Sequence, residues 1–263
     1  MARINLSPTR AKMMFKNILI PTDFSEAAWQ ATEYAMSIAS PGYTRLIFAH
    51  VLDEAPINPA IIPDRYVKEL QAERIKMVRR QLQVYEDYCD HLPKGNITHK
   101  SMVMPGRAAS KILLMAQNEN VDLIILGSAG ASRLMESVSL EVIDKAKCPV
   151  LSLPQKTQSP QYTQLVFLPR STSQSQKALQ YIKRLSTEYQ LDLHISPLSL
   201  DVPESLPRLR LSSPESLLAI MLDHDPATRL QQKRWIQVLI RDEHKPLFIF
   251  QSPTKQNNEN QSS

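Results

Sequence analysis

The sequence predicts an α/β protein in which helices cover both faces of a parallel sheet. Up to Leu153, short apolar runs of strand length alternate with longer segments of helical periodicity, in the order strand–helix four times and then a strand. Such alternation is typical of a parallel sheet with right-handed crossovers. The same pattern begins again after a stretch rich in Pro, Gln, Ser and Thr, which indicates a linker and a second copy of the unit.

The boundaries of the first unit follow from local signals. The opening strand, Asn17–Thr22, is stopped by Pro21, and Asp23–Glu26 is typical of the start of a helix, here Ala27–Ala39. The further elements are predicted at Thr44–Val51 (strand), Asp64–Leu92 (helix), Ile97–Met104 (strand), Gly106–Asn118 (helix), Val121–Leu126 (strand), Ser132–Lys147 (helix) and Val150–Leu153 (strand).

The second unit is a shortened copy. Its elements are predicted at Gln164–Pro169 (strand), Ser173–Glu188 (helix), Leu191–Leu200 (strand), Leu217–Leu222 (strand), Ala227–His244 (helix) and Leu247–Phe250 (strand). Pro197, Pro203 and Pro207 leave no room for a long second helix. We therefore expect a flexible tail at 1–14, a first unit at 15–154, a linker at 155–162, the shortened unit at 163–252 and a flexible tail at 253–263.

Composition argues against several classes of protein. Hydrophobic residues make up 43% and charged residues 22% of the 263 residues, which is enough apolar material for a packed core. The net charge of +5 is spread along the chain, whereas nucleic-acid binding favours a clustered basic face. No apolar run is long enough to span a membrane. The two cysteines, Cys89 and Cys148, fit no metal or redox spacing, so we expect free thiols and a cytoplasmic protein.

Three segments, taken in order, resemble the universal stress protein family. They are Asn17–Ala27, Leu46–Asp53, and Asp122–Gly130 with the following Ser137–Leu151. The resemblance covers Lys16–Leu153 well and Thr163–Gln251 weakly. It implies a doubly wound five-stranded parallel sheet of the adenine nucleotide alpha hydrolase-like kind, and either a homodimer or a pseudo-dimer within the chain. Many family members bind ATP without turning it over as enzymes, and others bind no nucleotide.

The resemblance also implies a ligand site. In open α/β sheets, ligands bind beyond the carboxyl ends of the strands, where the strand order reverses. Glycines and helix N-termini at this end of the sheet bind phosphates through their backbone N–H groups. The residues that match the family's nucleotide site are Thr22, Asp23, Val51, Gly127, Gly130 and Ser137.

Two departures from the family's glycine loop affect this expectation. Family members that bind ATP have Gly, two residues, Gly, nine residues, and then Gly-Ser or Gly-Thr. Here Glu136, not glycine, precedes Ser137. Only five residues separate Glu136 from Gly130. A carboxylate near phosphates repels them unless Arg133 offsets it. The shortened loop therefore disfavours a tight triphosphate site, and the candidate ligands are ATP, AMP or a shorter adenine ligand, with Mg²⁺ only as the nucleotide's companion and no metal site of the protein's own.

Structural interpretations of the same residues stand beside the functional ones. Asp23 is also suited to cap the first helix, Gly127 and Gly130 to permit a tight turn, and His50 to be a satisfied core residue. Glu141 and Asp144 are expected to face solvent.

The second unit looks structural. Ser171 replaces Asp23, Arg170 replaces Thr22, and Asp223–Asp225 is read as a solvated turn rather than a metal site. This unit is expected to cover an edge or a face of the first, as a partner subunit would.

Three functions remain open. The first is a regulatory stress protein that binds an adenine nucleotide and an unknown protein partner. The second is a nucleotide-free interaction module with a decayed site. The third is a nucleotide-processing enzyme, which is disfavoured because the sequence shows neither a Gly-x-x-x-x-Gly-Lys-Ser/Thr phosphate loop nor a Ser–His–Asp arrangement.

Overall fold

The computed structural model describes residues 14–53, 64–91, 97–128, 133–154, 162–169, 175–196, 216–241 and 246–251. The strands are β1 (Asn17–Pro21), β2 (Arg45–Leu52), β3 (Thr98–Pro105), β4 (Leu123–Ser128), β5 (Val150–Pro154), β6 (Gln164–Leu168), β7 (Asp192–Ile195), β8 (Ser216–Leu222) and β9 (Leu247–Gln251). The helices are α1 (Glu26–Ile38), α2 (Asp64–Asp90), α3 (Ala108–Asn118), α4 (Arg133–Lys145), α5 (Ser175–Tyr189) and α6 (Pro226–Arg241).

The first five strands form the predicted doubly wound sheet. Their order is β3-β2-β1-β4-β5, and every neighbouring pair in it is parallel. The chain moves outward through β2 and β3 and then returns to the other side of β1, so the strand order reverses between β1 and β4. This reversal creates the crevice in which open α/β sheets bind ligands.

The strands of the second unit repeat this arrangement. The order β9-β8-β6-β7 matches β5-β4-β1-β2, and its neighbouring pairs are parallel. A counterpart of β3 is absent from the residues that the structure describes. β9 pairs antiparallel with β5, which places Leu151 opposite Phe248. The second unit therefore covers the β5 edge of the first, and the two sheets merge into one sheet of nine strands, which the sequence had not predicted.

The helices form two layers. Residues from α1, α2 and α5 build the core on one face of the sheet, with Phe48, Phe167 and Phe248 at its centre. Residues from α3, α4 and α6 build the core on the other face. Alternate strand residues point to opposite faces: Ile18 and Ile20 belong to the first core, and Leu19 to the second.

Side chains join the two units on both faces. On one face the ring of Phe15 lies 5.8 Å from that of Tyr189 and 6.3 Å from that of Phe248, measured between centroids. On the other face Asp144 receives hydrogen bonds from Arg229 and Lys233 of α6. The expectation that Asp144 faces solvent is wrong, because its side chain is only 20% exposed and is held by two cations of the other unit.

Candidate functional site

The turn that follows β1 is fixed by hydrogen bonds through Thr22. Its backbone N–H donates to the Ala49 carbonyl of β2 over 2.8 Å. Its hydroxyl oxygen lies 2.9 Å from the Tyr85 hydroxyl and accepts from the Phe24 N–H over 3.0 Å. Because Thr22 is buried and bonded in this way, its side chain anchors the turn rather than presenting itself to a ligand.

Phe24 and His50 pack against each other at this turn. Phe24 adopts a left-handed backbone with φ of 64°, which is uncommon for an aromatic residue. Its ring stacks on the His50 imidazole with centroids 4.6 Å apart. His50 Nδ1 lies 2.8 Å from the Thr22 carbonyl, and because a carbonyl only accepts, Nδ1 donates. His50 is therefore a half-buried, hydrogen-bonded residue, as its structural interpretation predicts.

Asp23 lies exposed at the same turn and does not cap α1. The cap is Ser25, whose hydroxyl accepts from the Ala28 N–H over 3.3 Å. Asp23 Oδ1 instead accepts from the Ser25 N–H over 3.0 Å, which braces the turn in front of the cap. The capping interpretation of Asp23 is therefore wrong, and its carboxylate is held in an exposed position at the carboxyl end of β1.

Gly127 is required by helix packing. A Cβ atom built there would lie 2.1 Å from the Ala27 carbonyl oxygen and 2.7 Å from the Ala28 nitrogen. Only glycine lets the first turn of α1 lie this close to β4. Gly127 lies within β4, so the tight-turn interpretation does not hold for it. Gly130 lies outside the described residues, and its predicted role remains a prediction.

Val51 and Ser137 are the two remaining predicted site residues that the structure describes. Val51 is half-buried near the end of β2, in register with Met104 of β3. Ser137 is exposed on α4, the helix that follows β4. The fold therefore brings Thr22, Asp23, Val51 and Gly127 to the carboxyl ends of three adjacent strands.

Sequence reasoning missed Arg107 at this end of the sheet. Arg107 follows Gly106, which lies directly after β3 and has a φ of 128°. Arg107 directly precedes α3. Its guanidinium lies 2.5 Å from the Glu141 carboxylate, which also accepts a hydrogen bond from Lys145 Nζ over 2.7 Å. The hydrogen bond from Lys145 is the largest cause that lowers the pKa of Glu141, and the Arg107 charge adds to it. Glu141 therefore does not face solvent freely, contrary to expectation.

In the second unit, the Asp223–Asp225 segment forms a capping turn. Asp225 Oδ2 accepts from the backbone N–H of Thr228 over 2.9 Å and from its hydroxyl over 2.6 Å, and Asp223 accepts from the Asp225 N–H over 3.1 Å. Within the described ranges, no group of three or more His, Cys, Asp or Glu side chains could hold a metal ion. Arg170 and Ser171 lie outside those ranges.

The two cysteines are free thiols in this structure. Burial raises the pKa of Cys89 and of Cys148 to about 12, so neither thiol forms a significant amount of thiolate near neutral pH. In the part of the chain that the structure describes, no helix is both long and apolar enough to cross a membrane.

The strand order and the two helix layers define an open, doubly wound α/β protein, and comparison with known proteins gives its family. A model of the universal stress protein family matches residues 14–154, more than half of the chain. The chain belongs to the universal stress protein family.

Relatives from other organisms agree with this assignment. A universal stress protein of Methanocaldococcus jannaschii is 30% identical over 158 residues, which cover 55% of this chain and 98% of the relative. A universal stress protein of Bacillus subtilis is 27% identical over 148 residues, which cover 52% of this chain and 98% of the relative.

A solved structure extends the likeness to both units. The crystal structure of a universal stress protein from Archaeoglobus fulgidus superposes with a TM-score of 0.62 and covers 92% of this chain and 98% of that one. The sequence identity is 17%, so this likeness concerns the fold alone.

Proposed function

We propose that this chain is a regulatory universal stress protein whose first unit binds an adenine nucleotide at the carboxyl ends of β1, β2 and β4. The observation that carries the proposal is the braced turn after β1. Thr22 anchors this turn from inside, while Asp23 is held exposed beside the point where the strand order reverses. A positioned carboxylate at a switch point is suited to accept hydrogen bonds from a ligand.

Four of the predicted residues, Asp23, Val51, Gly130 and Ser137, then have a role toward the ligand. The Asp23 carboxylate would accept from an N–H or O–H group of the nucleoside, and the backbone at Val51 would contact adenine. The phosphate would lie toward Gly130, Ser137 and the N-terminus of α4, since a helix N-terminus attracts anions. Because the glycine loop is short, a monophosphate such as AMP fits this arrangement better than ATP, and Mg²⁺ would enter only with a nucleotide.

The function we propose is regulated binding in the cytoplasm rather than turnover. Phosphoryl transfer needs cations positioned around the transferred group. Among the described residues near this edge, Arg107 is held by Glu141 and Arg74 reaches the Asp53 carbonyl at 3.4 Å. Neither arrangement is that of a phosphate clamp. A bound nucleotide would instead change the affinity of the protein for a protein partner.

A second candidate is a nucleotide-free interaction module. The observation that favours it is the contact between Gly127 and Ala27, because helix packing alone explains this glycine. One of the residues that match the family's nucleotide site therefore carries no information about a ligand.

The experiment that separates the two candidates is mass spectrometry of small molecules released from denatured, freshly purified protein, combined with thermal titration with AMP, ADP and ATP. Ligand at a hundred times its Kd stabilises the folded state by about 2.7 kcal/mol, which a thermal scan detects. A released adenine nucleotide, or a shift largest with AMP, supports the first candidate. No nucleotide and no shift with any of the three would refute it and favour the second.

A further inference from the structure

A cavity of about 440 Å³ lies between the C-terminal ends of α3 and α4. Its lining is mainly apolar and includes Leu113 and Leu114 of α3, Val121 before β4, and Ala146 and Cys148 after α4. Both helices begin at the carboxyl ends of strands and end at the opposite edge of the sheet, so the cavity lies away from the proposed nucleotide site. Cavities of roughly 300–1,000 Å³ that combine an apolar lining with a few polar groups are typical small-molecule sites.

The charged residues that line the cavity are cations. Lys145 and Lys147 belong to the lining, and no Asp or Glu is among the described residues that form it. Lys145 donates to the Glu141 carboxylate over 2.7 Å. Lys147 is exposed and is paired with no carboxylate in the described part of the chain. The neighbouring Cys148 thiol is uncharged near neutral pH, because burial raises its pKa to about 12. An anionic ligand would therefore meet an available ammonium group at the rim of the cavity.

The two acidic residues adjacent to this lining in the chain are engaged elsewhere. Glu119 forms ion pairs with Lys100 over 2.7 Å and with Arg45 over 3.2 Å. The hydrogen bond from Lys100 is the largest cause that lowers the pKa of Glu119. The Asp122 carboxylate accepts from two backbone N–H groups at the start of β1, over 2.9 and 2.8 Å. Both carboxylates are thus held by other donors, and the rim of the cavity keeps its positive charge.

Hydrogen bonds within the chain occupy carbonyl groups at both helix ends that border the cavity. Helix C-termini normally disfavour anions, because their last carbonyl groups carry partial negative charge. At the end of α3, the Ala116 carbonyl accepts from the Val121 N–H over 2.9 Å. After α4, the Ala146 carbonyl accepts from Gln251 Nε2 over 2.6 Å. These donors reduce the repulsion that an anion would meet beside the two helix ends.

We propose that this cavity binds a medium-chain fatty acid, with its carboxylate at Lys147 and its hydrocarbon chain against Leu113, Val121 and Ala146. The apolar part of the lining suits the chain, because burial of apolar surface is favourable and non-directional. One carboxylate at the rim stays partly in water and so avoids most of the cost of burying an ion pair. A second anionic group would find no further free cation in the lining, since Glu141 holds Lys145.

Titration of the full-length chain with octanoate tests the proposal, with calorimetry as the measurement of Kd. Octanoate should bind at one site per chain, and the methyl NMR resonances of Leu113, Leu114 and Val121 should shift on binding. Octan-1-ol has the same hydrocarbon chain without the charge, so it should bind at least tenfold more weakly. Saturating AMP should leave the Kd of octanoate unchanged, because the cavity and the proposed nucleotide site lie at opposite edges of the sheet.

Three results of this titration would overturn the proposal. Equally tight binding of octan-1-ol would remove the role of the carboxylate, and competition by AMP would place octanoate at the nucleotide edge. The third result is the absence of binding. The alternative occupant is the segment 252–263, since it follows Gln251, whose side chain bonds to Ala146 of the lining. Occupancy by this segment would block octanoate in the full-length chain and would leave the three methyl resonances unshifted.

Two pairs of variants locate the bound octanoate. K147E should weaken binding at least tenfold, because it places a carboxylate where that of the ligand would lie. Its matched control is K183E, since Lys183 is exposed on α5, on the opposite face of the sheet. S110W should prevent binding by filling the cavity from α3, whereas Q231W, at an exposed position of α6, should not. Equal affinities within either pair would contradict the proposal. Thermal unfolding of each variant checks that the fold is intact.

Discussion

Arg229 donates from Nε to Asp144 Oδ1 over 2.8 Å, although the two residues are 85 positions apart in the chain. The guanidinium also donates to the Asp144 carbonyl, and Lys233 Nζ reaches the other carboxylate oxygen over 2.5 Å. One acidic residue of α4 thus holds two basic residues of α6. This contact ties the second unit to the first on the face opposite the aromatic contacts of Phe15.

Replacing Asp144 with Ala should destabilise the protein by about 1.5–3 kcal/mol, the usual size of a lost charged hydrogen bond. Burial alone raises the pKa of Asp144, but the hydrogen bonds from Lys233 and Arg229 outweigh it and bring the pKa below its usual value. A lowered pKa means that the stabilisation is present above the unfolded value of about 3.9 and is lost as pH falls through the folded value. Urea unfolding of both proteins at several pH values measures this difference.

A matched control for Asp144 lies on the same helix. Glu141 is also held by two cations, but Arg107 and Lys145 are 71% and 57% exposed. Ion pairs to exposed cations are screened by solvent and contribute little, so Glu141→Gln should cost clearly less than Asp144→Ala. Equal losses of unfolding free energy in the two variants would show that the ion pairs from Asp144 to α6 contribute no more stability than the exposed ion pairs of Glu141.

Gly127→Ala should destabilise the first unit by about 3 kcal/mol or more. The new Cβ would meet the backbone of Ala27 at 2.1 Å, and no side-chain rotation can relieve a contact with backbone. Gly42→Ala is the control, because Gly42 has φ of 72° but nothing within 4 Å of the added atom. That change should cost about 1 kcal/mol from backbone strain alone. Thermal unfolding compares them, and similar losses would contradict the close approach of α1 to β4.

The sequence predicted the order of the strands and helices better than it predicted the structural roles of individual residues. The strand–helix alternation located every strand of the first unit, because apolar periodicity is a local signal. The joining of two sheets through Leu151 and Phe248 could not be predicted, since either edge of a sheet can accept a strand. The role of Gly127 was hidden for the same reason, because it depends on where the backbone of Ala27 lies in space.

The boundary of β4 shows a further limit of local patterns. The apolar run begins at Val121, but the strand begins at Leu123. Asp122 accepts from the N–H groups of Lys16 and Asn17 through its carboxylate, over 2.9 and 2.8 Å. Asp122 thus bonds to the start of β1 immediately before β4 begins, and a hydropathy pattern cannot reveal such a contact between distant segments.

Thr22→Val should destabilise the protein by about 1–3 kcal/mol, although the side chains have nearly the same shape. The change removes the oxygen that contacts Tyr85 and accepts from the Phe24 N–H. Tyr85→Phe should cost less, because it leaves Thr22 bonded to Phe24. A double-mutant cycle measured by urea unfolding should give a coupling energy of about 0.5–1.5 kcal/mol between Thr22 and Tyr85. Additive effects would mean that their hydrogen bond contributes no stability.

Gly130→Glu should abolish any rise in melting temperature that AMP or ATP produces, while the melting temperature without nucleotide stays near that of the wild-type chain. The proposal places the phosphate near Gly130, and a carboxylate introduced there would repel it. Gly127→Ala is unsuitable for this purpose, because its clash with Ala27 would disturb folding and binding together.

A companion variant tests the nucleoside end of the proposed site. Asp23→Asn keeps an oxygen that can accept from the Ser25 N–H, so the turn should persist while the negative charge is lost. Binding of AMP should weaken about tenfold or more, as measured by calorimetry, if the carboxylate accepts from the nucleoside. Unchanged affinity in both Asp23→Asn and Gly130→Glu would place any bound nucleotide elsewhere in the protein. Loss in Gly130→Glu alone would keep the phosphate position and remove Asp23 from the site.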